Sequence, residues 1–401
     1  MTKKVKSRII GFVAALLGVA LIGGVTFGAS KVFSAPETTL KTSEEVDQHD
    51  EHAPKIYGVE GEINSTSLLT RTGDAVGMTY TVHTTEGLID SDFDNAEIYK
   101  DIKEYTDVRG NVFVSIPKYY VKYTWNEDNN TLKTEISKYK YPGFILNPCF
   151  RLDNGIEIDS IKIGKYDASG SSEIAASVSG ASPLGSLTID EMRTACKANN
   201  TSAVRTYQQL DLWSWVAVQD LFKVEFATTD SQSVMRGRVD AGSLAASGSC
   251  NEIGVNKSGW DLTTMCCTYR GIENPWGNTN QWLDGINLLN YEAYVCYKTA
   301  SYHSEVTDGD YKVVDYHLAT GSGNTDRIGF DANNPFVRLA VHYNGSDYDL
   351  GGYYNDSSYL GGAVMYVGGD CYSGSDAGLF KTSSYSASLA TSGIGCRLLL
   401  K

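Results

Sequence analysis

Proline, cysteine and charged residues are all scarce in this sequence, and these shortages exclude several classes of protein. Proline and cysteine number 8 each among 401 residues, and charged residues make up 20% of the chain. So few cysteines exclude a small domain held together by disulfides. Few prolines and an apolar fraction of 42% exclude wholesale disorder, and the length allows two or three domains with their own cores.

Basic residues are also too few to balance the acidic ones. The chain has 34 lysines and arginines against 48 aspartates and glutamates, which gives a formal net charge of −14 at pH 7. An acidic protein repels the phosphate backbones of DNA and RNA. We therefore expect no nucleic-acid partner.

Common catalytic and metal-binding signatures are missing from the chain. It contains no HExxH, Walker, GxSxG or CxxC motif. The histidines are scattered without the spacing of metal ligands, at positions 49, 52, 83, 303, 317 and 342. Asp90, Asp92, Asp94 and Asp101 have the spacing of a calcium loop, but Asn95 stands where that loop needs glycine. We expect no metal, no cofactor and no enzymatic activity.

The first 35 residues have the pattern of an export signal. An uncharged apolar run from Ile9 to Ala29 follows the basic residues Lys3, Lys4, Lys6 and Arg8. The run is long enough to cross a bilayer, and its basic flank should stay on the cytoplasmic side. Small residues at 28–30 suit a signal peptidase, so cleavage and retention as a membrane anchor are both open. Either outcome predicts that the rest of the chain lies outside the cytoplasm.

Two regions precede the larger domain. Residues 36–55 are rich in acidic side chains and nearly free of large apolar ones, which predicts a disordered linker. Between 56 and 141, β-branched and aromatic stretches at 111–116, 119–125 and 132–139 alternate with turn residues. This alternation predicts a small β-rich domain.

Residues 142–401 combine helical and strand signals. The spacing of apolar residues predicts helices over 187–198 and 208–226. After about residue 244, Gly, Ser, Asn and Tyr dominate, and only short strands are predicted, such as 337–343 and 394–400. The sequence therefore predicts an α+β fold with long loops.

A tryptophan-containing block, Tyr269–Gly285, reads YRGIENPWGNTNQWLDG. Trp276 and Trp282 can bury large faces and Gly277 permits a tight turn, so these residues indicate a core rather than a ligand site. The block resembles the RGxENPWGNxWxWxDG pattern of a C-type-lectin-like subgroup that is related in fold to formylglycine-generating enzymes. This resemblance implies a C-type-lectin-like domain over 142–401.

The stretch from Tyr366 to Leu400 resembles the variable carboxyl terminus of target proteins of diversity-generating retroelements. In that family a reverse transcriptase copies a template with errors at adenines, so that some codons vary within a fixed framework, which this sequence matches at Leu379, Phe380, Ile394 and Arg397 among others. The resemblance implies a variable region at about 351–397. The positions that it assigns to ligand binding are Cys371, Tyr372, Ser375, Asp376, Lys381, Ser383, Ser384, Tyr385, Leu389, Ala390 and Thr391.

The composition of this region is consistent with a binding surface. From Gly351 onward Gly, Ser and Tyr make up about half of the residues, as in adaptable antibody binding sites. We therefore expect the side chains of Tyr372, Asp376, Lys381 and Tyr385 to point to solvent on one contiguous face.

The region from residue 57 resembles the amino-terminal parts of phage tail and prophage proteins. Phage tail proteins need no export signal, however, and the pattern at 1–35 favours a cell-surface protein. We expect an exported, surface-displayed protein that binds a protein or surface ligand of variable identity, and that contacts the membrane if its N-terminal segment is uncleaved. The alternatives are a phage or prophage tail receptor-binding or adhesin component and, on fold kinship alone, a formylglycine-generating-type oxidase.

Overall fold

Strands outnumber helices in the computed structural model, which describes residues 54–64, 68–201, 206–305, 309–344, 354–356 and 362–401. The fold of these residues is α+β, as the sequence predicts. The residues from Pro54 to Lys401 form one compact unit. The predicted export segment, and the predicted linker up to residue 53, lie outside the described residues.

Three α-helices are present in the described part of the chain: α1 (Ile189–Lys197), α2 (Leu212–Phe226) and α3 (Ser231–Val234). Both long helices were predicted. Thr188 starts α1 by a reciprocal capping box, because its hydroxyl accepts from the Glu191 backbone and the Glu191 carboxylate accepts from the Thr188 backbone. α2 begins later than the predicted residue 208, because residues 207–209 pair as a strand instead.

The strands are short and come from the whole length of the described chain. Those of the first half are β1 (Ile56–Glu62), β2 (Thr70–Gly73), β3 (Tyr80–His83), β4 (Leu88–Ser91), β5 (Lys103–Thr106), β6 (Val112–Pro117), β7 (Tyr120–Asn126), β8 (Thr131–Ser137), β9 (Ile145–Leu146), β10 (Ser160–Gly164), β11 (Ser169–Gly170), β12 (Ala175–Ala176) and β13 (Tyr207–Gln209). Those of the second half are β14 (Ser258–Trp260), β15 (Cys267–Tyr269), β16 (Ile272–Glu273), β17 (Asn280–Leu289), β18 (Glu292–Val295), β19 (Lys312–His317), β20 (Ser322–Ile328), β21 (Ala340–Asn344), β22 (Tyr354–Asp356), β23 (Ala363–Gly368), β24 (Gly378–Tyr385), β25 (Ile394–Gly395) and β26 (Leu398–Leu400). The second half therefore holds more regular structure than its composition predicts.

These strands form four larger sheets and the small pair β11-β12. Their orders are β2-β1-β8-β7-β9, β13-β26-β10-β6-β5, β16-β15-β14-β4-β3, and β19-β18-β17-β23-β24-β22-β20-β21 with β25 beside β17. β6 pairs with β10, and β4 pairs with β14. Strands from the two sides of residue 141, where the sequence suggested a domain boundary, thus share sheets.

Helix α2 lies at the centre of the core. All 15 of its residues are buried, and its buried carboxylates Asp220 and Glu225 form ion pairs with arginines from other parts of the chain. It contacts strands β1, β8 and β17, and the Phe222 ring packs edge-on against the rings of Trp276 and Phe380. The helix therefore connects the tryptophan-containing block to the C-terminal strands.

Candidate functional site

The predicted ligand-binding positions lie on and around the hairpin of β23 and β24. The two strands are antiparallel, and residues 369–377 connect them. Gly368 and Gly369 both have positive φ values, of 92° and 80°, which favour glycine. A Cβ on Gly369 would also lie 2.6 Å from the Cβ of Ala377. Glycine is thus required for the chain to leave β23 in this way.

Three different parts of the fold hold the connecting loop in place. The side-chain amide nitrogen of Gln232 lies 2.9 Å from the carbonyl oxygens of Gly374 and Ala377. The Gly374 backbone N–H donates to the Val239 carbonyl at 2.7 Å, and the Cys371 N–H donates to the Asn278 carbonyl at 3.1 Å. A loop fixed in this way loses little conformational freedom when it binds a ligand.

Side chains within the loop add a second set of hydrogen bonds. The Asp370 carboxylate accepts from the Tyr372 N–H at 3.0 Å and from the Ser373 hydroxyl at 2.9 Å. The Lys381 ammonium donates to the same Ser373 hydroxyl at 3.1 Å. Asp370, Ser373 and Gln232 were not predicted as site residues. Asp370 could have been found from the sequence, because Asp followed by Ser three residues later is typical of a turn in which the Asp side chain accepts backbone N–H groups.

The predicted binding residues differ widely in exposure. The side chains of Tyr372, Tyr385 and Ala390 are exposed, and those of Ser375, Asp376, Leu389 and Thr391 are partly exposed. The buried ones are Cys371, Lys381, Ser383 and Ser384. The remaining predicted variable positions, at 351–353 and 357–361, lie outside the described residues.

The prediction that Lys381 points to solvent is wrong, because only 8% of this residue is exposed. The physical reason is its place in β24, which lies between β23 and β22 and is buried along most of its length. Tyr372 and Tyr385 are 70% and 48% exposed, as expected. The ends of β24 are about 23 Å apart, however, so the two tyrosines stand at opposite ends of the hairpin rather than in one compact patch.

The segment 386–393 runs back toward the connecting loop. The Thr391 carbonyl accepts from the Ser186 N–H, and the Gly393 carbonyl accepts from the Asn280 N–H, both at 2.9 Å. A Cβ on Gly393 would lie 2.8 Å from a carboxylate oxygen of Asp370. Gly393 therefore lies beside the connecting loop, and Thr391, two residues earlier, is at the same end of the hairpin. We call Tyr372, Ser375, Asp376 and Thr391 the tail surface.

The tryptophan-containing block lies beneath this surface. The Trp276 and Trp282 rings are completely buried, as predicted. The Asn278 side chain donates to the Asp167 carboxylate at 2.8 Å, and the Arg397 guanidinium donates to the same carboxylate at 2.9 Å. Since Asn278 also binds the loop through its carbonyl, the block and the tail surface share one hydrogen-bonded support.

The cysteines do not have the environment of reactive thiols. All eight are buried and none forms a disulfide. Burial is the main cause that raises the pKa of Cys371, and the nearby Asp370 acts in the same direction. A nucleophilic cysteine needs a lowered pKa, which favours the thiolate. Burial and the neighbouring Asp370 therefore both disfavour the thiolate form of Cys371.

No protein-family model matches this chain, and no curated protein matches it either. Among the described residues, no group of three or more His, Cys, Asp or Glu side chains is placed to hold a metal ion. Within those residues, too, no helix has the length and apolarity that crossing a bilayer requires. The apolar run at 9–29 and the His49–His52 pair lie outside them.

Proposed function

We propose that this chain is an exported, surface-displayed ligand-binding protein with a C-type-lectin-like domain over residues 142–401, to whose sheets strands before residue 141 also contribute. Its C-terminal surface is diversified by a retroelement, so that related copies bind different protein or surface ligands. The observation that carries this proposal is the contrast between a hydrogen-bonded, buried support and an exposed tyrosine in the same short loop. Tyr372 is exposed, whereas its loop is held by hydrogen bonds to the buried Asn278 and the partly buried Gln232.

The division of roles in the tail supports the proposal. Residues that match the fixed framework, such as Leu379, Phe380, Ile394 and Arg397, are buried, and seven of the eleven predicted variable positions are at least partly exposed. A substitution at such a position would open a cavity or leave a charge unpaired, with a cost of several kcal/mol. Substitutions at exposed positions usually change stability by less than about 0.5 kcal/mol. A protein that tolerates many tail sequences needs this separation.

Burial also narrows the set of residues that contact the ligand. Cys371, Lys381, Ser383 and Ser384 are buried, so their side chains offer little surface to a partner. We propose that ligand contacts come from the tail surface together with its neighbours Leu389 and Ala390 and, at the other end of the hairpin, from Tyr385. Tyrosine suits this role because its large rigid face carries a hydroxyl and loses little side-chain entropy.

The DNA beside the gene tests this function directly. We expect a reverse-transcriptase gene nearby and an imperfect copy of the last coding segment, with mismatches at adenines of the copy. The coding segment for residues 56–141 is the matched control and should have no such copy. Absence of both the reverse transcriptase and the copy would contradict the proposal and would favour a tail or adhesin component without a diversified site.

A further inference from the structure

Two cysteines that are far apart in the sequence meet in the core of the protein. Cys196 lies in the last turn of α1, and Cys396 lies between β25 and β26. Their sulfur atoms are 3.6 Å apart, and neither residue is exposed to solvent. The two thiols form a hydrogen bond with one another across a separation of 200 residues.

The surrounding fold, rather than the thiols, brings these residues together. One turn before Cys196, the Arg193 guanidinium forms an ion pair at 2.7 Å with Asp284 of β17. On the other side, β25 pairs with Asn280 and Gln281 at the start of the same strand. The Cys396 carbonyl accepts from the Ala168 N–H at 2.9 Å. β17 thus fixes both cysteine-bearing segments.

Three of the other six cysteines donate to backbone carbonyls instead. Cys250 donates its S–H to the Cys266 carbonyl at 3.1 Å, and Cys267 donates to the Trp276 carbonyl at 3.7 Å. Cys296 donates to the Lys298 carbonyl at 3.4 Å. These thiols are held by backbone acceptors, whereas Cys196 and Cys396 are held by each other.

We propose that Cys196 and Cys396 form an intramolecular disulfide when the protein folds in an oxidising compartment. The sulfur atoms need to approach by about 1.5 Å to reach bonding distance, which is a small movement for two cysteine side chains. The bond forms by exchange with an oxidised thiol compound. One cysteine thiolate attacks the donor disulfide and releases the first donor thiol. The second cysteine thiolate then attacks the mixed disulfide and releases the second donor thiol. One S–S bond forms, one breaks, and the two cysteine protons pass to the released thiolates.

The time of bond formation follows from the environment of the pair. The hydrogen bond to Cys396, and then burial, raise the pKa of Cys196 in the folded protein. Little of the Cys196 thiolate is therefore present after folding, and no solvent reaches the sulfur atoms. Exchange is expected while α1 and the C-terminal strand are still assembling, and the finished bond should resist added reductant until the protein unfolds.

The consequence of the bond is a covalent attachment of the C-terminal segment to α1. The segment 386–393, which carries Thr391 of the tail surface, lies directly before Cys396. Closing a loop of this length restricts the unfolded chain strongly. The bond would therefore stabilise the framework while leaving the exposed positions free to vary. This proposal does not depend on the diversification of the tail.

Peptide mapping of the full-length protein tests the proposal. The protein is refolded with oxidised and reduced glutathione, unfolded in the presence of an alkylating agent, and digested without reductant. We expect one linked peptide pair containing Cys196 and Cys396, lighter than the two reduced peptides by two hydrogen atoms, with the other cysteines alkylated. Alkylation of both residues, or linkage of either one to a different cysteine, would overturn the proposal.

Variants extend this test to stability. The oxidised parent should melt several degrees higher than the reduced parent, and Cys396→Ser should lose this dependence on oxidation. Cys149→Ser is the matched control, because Cys149 is also buried but lies outside the pair, and this variant should keep the dependence. If Cys396→Ser fails to fold, Cys196→Ala replaces it, and mapping of the parent alone still decides the matter. An oxidised parent that melts like the reduced one contradicts the proposal.

Discussion

The guanidinium of Arg397 donates a hydrogen bond of 2.9 Å to the carboxylate of Asp167, and both residues are buried in the core. The same guanidinium donates to the backbone carbonyls of Gly164, Lys165 and Glu273. One side chain near the end of the chain thus connects β10, the tryptophan-containing block and the C-terminal strand. An arginine suits this place because its five donors can serve several acceptors at once.

Arg397→Met should destabilise the protein by about 3–5 kcal/mol, because it leaves the Asp167 carboxylate buried without its charged partner. Urea denaturation measures the free energy of unfolding. Arg236→Met is the control, since Arg236 pairs with Asp240 at the surface, where an ion pair contributes about 0–1 kcal/mol. Equal stability of the two variants would show that the buried Arg397–Asp167 pair contributes no more to folding than a surface ion pair.

Trp276→Ala and Trp282→Ala should each cost about 3–5 kcal/mol, because both rings are fully buried and leave large cavities. Tyr372→Ala is the control and should change stability by less than about 0.5 kcal/mol, because most of that side chain is in solvent. Urea or thermal unfolding distinguishes these outcomes. If both tryptophan variants remain as stable as the parent, the block is not a core organiser and a direct binding role must be reconsidered.

The free energy of unfolding should rise with pH between pH 7 and pH 10 because of Lys223. Burial lowers the pKa of this lysine from its ordinary value of 10.5 to about 7, and the Arg338 guanidinium acts in the same direction. In this range the unfolded chain binds a proton at Lys223 that the folded chain does not, so the free energy of unfolding falls as the pH is lowered from about 10.5 to about 7, and Lys223 makes no further difference below that. The slope from this one group reaches about 1.4 kcal/mol per pH unit.

Urea denaturation between pH 7 and pH 9 measures this slope. Lys223→Met should have a smaller slope than the parent, since the titrating group is gone. Lys298→Met should keep the parent slope, because Lys298 is at the surface and pairs there with Asp310. Parallel profiles for the parent and Lys223→Met would contradict the assignment.

Helices α1 and α2 and the strands around residues 112–137 could be predicted because their signals are local. Thr188 with Glu191 marks a helix start, and apolar residues recur every three or four positions up to Phe226. The C-terminal sheet could not be predicted in the same way. β17 is buried on both faces, so it lacks the alternation of a surface strand, and β22 pairs with β24 through a parallel contact that no local pattern specifies.

In the candidate site, too, the sequence predicts only what depends on nearby residues. Tyr372 and Tyr385 were correctly expected at the surface, since large polar aromatics among glycines and serines suit exposed loops. Lys381 was misplaced because its burial depends on the neighbours of β24, which come from elsewhere in the sequence. The support from Gln232 is likewise invisible without the fold, because that residue lies more than a hundred positions before the loop that it holds.

The proposed export of the chain gives another test. The basic residues before the apolar run at 9–29 predict that residues beyond about 36 lie outside the cytoplasm. Protease added to intact cells from which the wall has been removed should digest the body of the protein, while a cytoplasmic marker enzyme remains whole. Complete protection of the body in these cells, with digestion only after lysis, would contradict export.

Variation of the 3′ coding segment among the cells of one culture tests the central claim most directly. Deep sequencing of single-molecule-tagged DNA should show substitutions concentrated in the codons for Tyr372, Ser375, Asp376, Tyr385, Leu389, Ala390 and Thr391, at positions that match adenines of the template copy. The codons for Trp276, Asn278 and Arg397, and the whole segment for residues 56–141, should stay constant. Substitutions spread evenly over the gene, or a tail that differs from its copy without regard to adenines, would contradict the account.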